Sequence, residues 1–179
     1  MKTHINLQKV SRLVYVLLLV SAVLGLLKVA RMTSGSNVDS TDKYAWSAHT
    51  GWINFNPQCM GCEGVTVYAD HLEGYAWGEN IGWLRMGTHT GGGAHTYGNS
   101  SKDDYGVNVS DNGVLSGYAW GAHVGWINFA PANGGVTVDL STGAFDGYAW
   151  GENIGWIHFQ NTGVAAYNVA AAPADVVIS

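Results

Sequence analysis

The chain has 179 residues, of which 12% are charged and 8 are tryptophan, and its formal net charge is -5. Disordered chains are rich in charge and poor in aromatic residues, so this composition excludes extensive disorder. Most of the basic residues lie within residues 1–31, whereas every acidic residue lies after them. The later part is therefore strongly acidic. Such a surface repels phosphate groups, which argues against a nucleic-acid partner.

The N-terminus is basic and is followed by an uncharged apolar run over residues 13–27. This order is typical of a secretory signal peptide. Lys28 and Arg31 also suit a signal anchor, because their long side chains can reach the membrane interface. Residues 1–31 are predicted to be an apolar helix that serves as one or the other, and the protein is predicted to be exported to the cell surface or beyond. If uncleaved, the apolar run would bind the membrane.

Residues 32–43 are polar and are predicted to be a linker. Four copies of a double-tryptophan motif follow, and each is spelled approximately Tyr-Ala-Trp-Gly-Glu-Asn-Ile-Gly-Trp-Ile. The copies begin at Tyr44, Tyr75, Tyr118 and Tyr148. Alternate copies share their turn residues, which predicts two tandem modules, 44–117 and 118–179. An insertion at about 88–104 is polar and rich in glycine and is predicted to be a surface loop.

The residue types of each copy favour short strands. Side chains alternate along a strand, so the two aromatic rings of Tyr-Ala-Trp share one face, and Ile and Phe of Gly-Trp-Ile-x-Phe face away from their Trp. The residues between the two tryptophans suit a hairpin turn, in which Asn80 and Asn153 would tolerate a left-handed backbone. We predict an all-β antiparallel sandwich or barrel of four three-stranded repeats of about 30 residues, with a β-solenoid as the alternative.

The aromatic rings of the repeat are predicted to form its core, because burying them would supply much of the folding free energy. The alternative is that they lie exposed and stack on sugar rings. The predicted core residues are Tyr44, Trp46, Trp52, Tyr75, Trp77, Trp83, Tyr118, Trp120, Trp126, Tyr148, Trp150 and Trp156.

The motif Gly-Val-Thr-Val…Gly-Tyr-Ala-Trp-x-x-Asn-x-Gly-Trp-Ile resembles a tandem repeat of uncharacterised exported bacterial surface proteins. The resemblance covers about residues 44–169 and implies export and a β-repeat architecture. His49 and His123 depart from it, since they stand where the motif has Asn.

Cys59 and Cys62 form a C-x-x-C motif in the loop after the first copy. In an exported chain this spacing predicts a local disulfide. A zinc site would need two further ligands, for which His49 and His71 are the nearest candidates.

No catalytic group of residues stands out in the sequence. His89 and His95 flank a glycine run in the insertion and are predicted to be solvated loop residues, although a metal role is the alternative. Glu79 and Glu152 occupy equivalent turn positions, which favours a structural role over paired carboxylates. We predict a protein that is not an enzyme, with no metal and no cofactor.

The repeat lacks a Gly-Val-Thr-Val strand before its first copy and has a spare one after its last. The spare strand either closes its own molecule or completes the next one head to tail. We predict a structural subunit of an extracellular filament or pilus-like fibre, with copies of itself as partners. The alternative is a membrane-anchored adhesin or carbohydrate-binding module with glycan ligands. The predicted assembly residues are Val164, Val169, Val176, Val177 and Ile178.

Overall fold

The strands of the protein are short, and many of them begin or end at a glycine. A computed structural model describes residues 35–59 and 62–172, all within the unit Ser34–Ser179. Every regular element in these two ranges is a strand, which confirms the all-β prediction; the predicted N-terminal helix lies outside them. The strands are β1 (Val38–Ser47), β2 (Gly51–Asn54), β3 (Thr66–Val67), β4 (Leu72–Glu73), β5 (Tyr75–Gly78), β6 (Gly82–Arg85), β7 (Val107–Val109), β8 (Leu115–Gly121), β9 (Gly125–Asn128), β10 (Gly135–Val138), β11 (Phe145–Gly151), β12 (Gly155–His158), β13 (Gln160–Asn161) and β14 (Tyr167–Ala171).

Within residues 35–59 and 62–172 there is no helix with the length and apolar character that a membrane span requires.

Eight of the strands form a closed antiparallel barrel. Each copy of the double-tryptophan motif is one hairpin, namely β1–β2, β5–β6, β8–β9 or β11–β12. Neighbouring hairpins pair through β2–β5, β6–β8 and β9–β11, and β12 pairs with β1 to close the ring. A barrel is one of the two predicted architectures, and the β-solenoid alternative is wrong because the strands form one ring. The predicted module boundary after residue 117 falls inside β8, so both modules share this barrel.

Small and aliphatic side chains fill the barrel. In the first hairpin Ala45, Ser47, Ile53 and Phe55 are buried, and their neighbours along each strand point outward, as the alternation predicts. The other hairpins repeat this pattern with Ala and Gly on the first strand and a larger apolar residue on the second. Eight short strands enclose a space just wide enough for such side chains.

The prediction that the aromatic rings of the repeat form the core is wrong: the tryptophans are 37% to 47% exposed, Tyr118 and Tyr148 are 39% and 43% exposed, and Tyr44 and Tyr75 are half-buried. The two tryptophans of each hairpin are cross-strand partners, and their rings meet edge to face with centroids 4.7 to 4.9 Å apart. Such pairs contribute about 0.5–1.5 kcal/mol beyond the area they bury. The indoles therefore stabilise each hairpin from outside the barrel. The four phenylalanines of the protein, Phe55, Phe129, Phe145 and Phe159, are fully buried.

The hairpin turns place glycine, not asparagine, in the left-handed region. In the second hairpin the Ile81 N–H donates to Gly78 O at 3.2 Å, and Gly82 follows with φ 75°. Glycine adopts this conformation without the steric cost of a Cβ atom. Asn80 and Asn153 do not adopt it, so their predicted backbone role is wrong; the only described non-glycine residues with positive φ are Asn99 and Asn133.

The turn asparagines instead connect adjacent hairpins. The side-chain amide of Asn80 donates to Thr50 O at 3.0 Å, and that of Asn153 donates to Val124 O at 3.1 Å. His123 occupies the equivalent turn position in the third hairpin and makes the same kind of contact, since its Nδ1 lies 3.3 Å from Ile81 O. An imidazole N–H can thus replace an amide N–H here, which accounts for histidine where the motif has asparagine.

The Gly-Val-x-Val segments add strands beside the barrel, as β7 does on β8 and β10 does on β11. For the first copy this place is taken by β14, which pairs with β1 of the same chain. Residues 38–43, predicted as the end of a linker, instead form the first half of β1. Val169 is buried in this pairing and Val164 is exposed, while residues 176–178 of the predicted assembly strand lie outside the described residues.

Candidate functional site

A groove of about 800 Å³ lies on the outside of the barrel, along the seam between the first two hairpins. The seam is formed by β2 and β5, in which Asn54 is the register partner of Trp77. Aromatic rings line the groove together with polar side chains that can accept or donate hydrogen bonds. The aromatic residues are Tyr44, Trp52, Trp77 and Tyr167, and the polar ones include Asp42, Asn54, Glu79, Asn80 and Asn168.

The alternation of side chains in β1, β2 and β5 determines which residues reach the groove. Because Ala45 and Ile53 point into the barrel, their strand neighbours Tyr44, Trp52 and Asn54 point out. Strand β14 then supplies Tyr167 and Asn168 from the far end of the sequence. The groove is therefore built from two repeat hairpins and from one strand outside the double-tryptophan motif.

Trp52 is held by packing yet remains available to a ligand. Its ring lies edge to face with Trp46 at 4.8 Å, with Tyr167 at 5.0 Å and with Tyr44 at 6.0 Å. It is nevertheless 47% exposed, more than any other tryptophan of the protein. Three ring contacts fix the orientation of the indole, so a ligand that stacks on it meets a preorganised surface.

Tyr167 is in turn positioned by His158 on β12. The His158 ring stacks on Tyr148 with centroids 4.2 Å apart, and its Nδ1 lies 2.8 Å from the Tyr167 hydroxyl. That hydroxyl donates to Nδ1 when the imidazole is neutral and carries its proton on Nε2. Burial lowers the pKa of His158 below its ordinary value of 6.5, against the opposing field of the Asp146 carboxylate.

Acid is expected to weaken the packing of β14 through His158. Since its folded pKa is lowered, the unfolded chain binds the proton first, so this contribution to stability is complete above about pH 6.5 and is lost as the pH falls through the folded pKa. Urea unfolding of the wild type and of His158→Gln at about pH 7.5 and about pH 5.5 checks this. The free-energy advantage of the wild type should shrink at the lower pH; an advantage that is constant or grows would contradict the assignment.

The charge of the groove is negative. Asp42 and Glu79 contribute two carboxylates, and one positive charge lies nearby, since Lys43 Nζ is 5.6 Å from the centroid of the Tyr44 ring. Glu79, predicted to have a structural role in its turn, thus reaches a surface where it can accept hydrogen bonds. Neither Asp42 nor Asn168 is a predicted site residue, because Asp42 lies in the predicted linker and Asn168 in the predicted assembly strand.

The remaining predicted tryptophans and the two cysteines do not line this groove. Trp126 occupies on the third hairpin the place that Trp52 has on the first, with Trp120 and Tyr105 at 4.7 and 4.8 Å. Cys59 and Cys62 form the predicted disulfide, with their Cα atoms 5.2 Å apart.

No family model, no curated protein and no solved structure matches this chain. The resemblance of its repeat to exported bacterial proteins stays a prediction.

Proposed function

We propose that the protein is a carbohydrate-binding module of the cell surface that binds neutral glycans in the groove between its first two hairpins. The observation that carries this proposal is the meeting of half-exposed aromatic rings with carboxylate and amide groups in one groove. A pyranose ring has an apolar C–H face and a rim of hydroxyl groups. An aromatic ring flanked by hydrogen-bonding groups is complementary to both of these features.

The charge of the groove favours neutral sugars. Asp42 and Glu79 repel sulfated sugars and uronic acids, and the single charge of Lys43 beside Tyr44 offsets only one of these two carboxylates. The same carboxylates accept hydrogen bonds from sugar hydroxyls, and such charge-assisted bonds are stronger than neutral ones. We therefore expect ligands built of neutral hexoses.

The asymmetry of the groove supports a specific site. All four hairpins carry the same aromatic motif, whose tryptophan pairs stabilise the hairpins wherever they occur. The turn residues differ between neighbouring copies, and Asp42, Tyr167 and Asn168, which lie outside the motif, add a further difference beside Trp52. Export, predicted from residues 1–31, would bring this groove to extracellular glycans, and we propose that it binds them without catalysis.

Replacing Trp52 by alanine is expected to weaken glycan binding by about tenfold or more, because a lost stacking contact of about 1.4 kcal/mol corresponds to that factor. The full-length protein is first screened on a glycan array, and the best neutral oligosaccharide is then titrated by calorimetry. Trp126→Ala is the matched control, since that indole has nearly the same ring contacts but lies outside the groove. It should bind within about twofold of the wild type.

Absence of neutral-glycan binding on the array would contradict the proposal. An equal loss of affinity in Trp52→Ala and Trp126→Ala would also contradict it, because the effect would then come from hairpin stability and not from the groove. Thermal unfolding of both variants measures that stability directly.

A further inference from the structure

A second cluster of chemically active side chains lies where the inserted loop packs on β4. His71, which directly precedes β4, has no exposed surface, and Glu73 on β4 is 7% exposed. The two residues are two positions apart in an extended segment, so their side chains share a face. The insertion brings His89 and His95 to this face, with the His89 ring 5.6 Å and the His95 ring 5.5 Å from that of His71.

Both ring nitrogens of His71 face a carboxylate. Its Nδ1 lies 2.6 Å from Asp70 Oδ1, and its Nε2 lies 3.0 Å from Glu73 Oε1. A neutral imidazole has a single N–H, so one of these carboxylates meets a nitrogen lone pair unless a positive charge lies between them. That charge is either a second proton or a metal ion. Among the described residues the ion-pair partners of Glu73 are histidines alone, His71 and His89.

The geometry points to a metal ion. We propose that Nε2 of His71, Oε1 of Glu73 and Nε2 of His89 bind a zinc ion; these three residues offer ligand atoms that lie within 4.8 Å of one another. Zinc with bonds of about 2.0–2.1 Å places tetrahedral ligand atoms about 3.3 Å apart. The Glu73 oxygen is 3.0 Å from one histidine nitrogen and 3.6 Å from the other, which brackets that separation.

The residues around the three ligands fit the same assignment. Asp70 fixes the proton of His71 on Nδ1, which leaves Nε2 as the ligand atom, and such an outer carboxylate is the usual companion of a zinc-bound histidine. Two histidines and one glutamate leave a fourth position for water. His89 Nε2 also lies 3.1 Å from Gly92 O, so binding displaces the proton that this nitrogen would otherwise donate there.

In the fold, the metal ion would strengthen the attachment of the inserted loop to β4. Glu73 Oε1 already accepts the Gly92 N–H at 2.9 Å, and Asp70 Oδ2 accepts the His95 N–H at 2.8 Å. A metal ion would add a bond from β4 to the His89 side chain of the same loop. This inference is independent of the glycan groove, which contains none of these residues.

Zinc titration of the full-length protein tests the site. After treatment with a chelator, calorimetry is expected to show one zinc ion per chain with a dissociation constant in the micromolar range or below. His89→Ala removes a ligand from a partly exposed loop position and should weaken binding by at least about tenfold. His95→Ala is the matched control, since it stacks on His89 at 4.1 Å but supplies no ligand, and should stay within about threefold.

Cobalt(II) gives a second, spectroscopic readout of the ligands. Strong visible absorption in the wild type, lost in His89→Ala and in Glu73→Gln but kept in His95→Ala, would support a four-coordinate site of these ligands. Failure of the wild type to bind zinc would overturn the proposal. Zinc binding that His89→Ala leaves unchanged would also overturn it, because the ion would then be held by other residues.

Discussion

Replacement of Phe159 by alanine is expected to lower the free energy of unfolding by about 3–5 kcal/mol. The Phe159 ring is fully buried, and its centroid lies 5.4 Å from Phe55, 5.7 Å from Phe129 and 6.0 Å from Phe145. These phenylalanines come from three of the four hairpins or their flanks. The cavity that Phe159→Ala leaves would therefore lie where different parts of the barrel meet. A loss of this size is a large share of the stability of an ordinary domain.

Urea unfolding monitored by tryptophan fluorescence measures this loss. Val164→Ala is the control, because Val164 is exposed and its truncation should change the free energy by no more than about 0.5 kcal/mol. A loss below about 1 kcal/mol in Phe159→Ala would mean that the buried ring cluster is not the centre of the core.

Ending the chain after Gly163 is expected to lower the free energy of unfolding by about 3 kcal/mol and to abolish glycan binding. The truncation removes β14, which is the partner of the first half of β1, together with the buried Val169 and three residues of the groove. It also frees an edge of β1, and a free strand edge pairs readily with other chains. Self-association should therefore rise, as analytical ultracentrifugation measures.

A synthetic peptide of residues 160–172 is the control for this truncation, since it can pair with β1 in place of β14 and should restore stability and the monomeric state. Unchanged stability after truncation would contradict the role of β14 in the fold. The predicted fibre requires β14 of one full-length chain to pair with β1 of the next. Filaments of the full-length protein in electron micrographs would support that exchange, whereas a monomer in solution would favour closure within one chain.

The sequence predicts the strands and their two faces but not which face points inward. Both faces of Tyr-Ala-Trp and Gly-Trp-Ile-x-Phe are apolar, so hydrophobicity does not distinguish them. The size of the side chains distinguishes the two faces, because the interior of the eight-stranded ring accommodates Ala45 and Ile53 but not two indoles from every hairpin. The glycines and alanines of the first strands are the signal in the sequence for this arrangement.

The groove was less predictable than the barrel. Trp52 and Trp77 are conspicuous in the sequence, yet their importance depends on Asp42 and Asn168, which lie far apart along the chain. Only the pairing of β14 with β1 brings these two segments together. The histidine cluster could not be predicted from the sequence for the same reason, since His71 and His89 become neighbours only when the insertion packs on β4.

The closure of the ring has a consequence for the order of folding. Strand β1 has β2 as an immediate partner, but its other edge pairs with β12 and β14. Val38, for example, can pair only after Ala171 has been synthesised. At a synthesis rate of about 5–20 residues per second, that edge stays unpaired for roughly 10 seconds. Contacts so distant in sequence form slowly even in a complete chain. The first strand to be made is thus the last to be covered, and a chaperone that binds exposed strand edges would have its main target there.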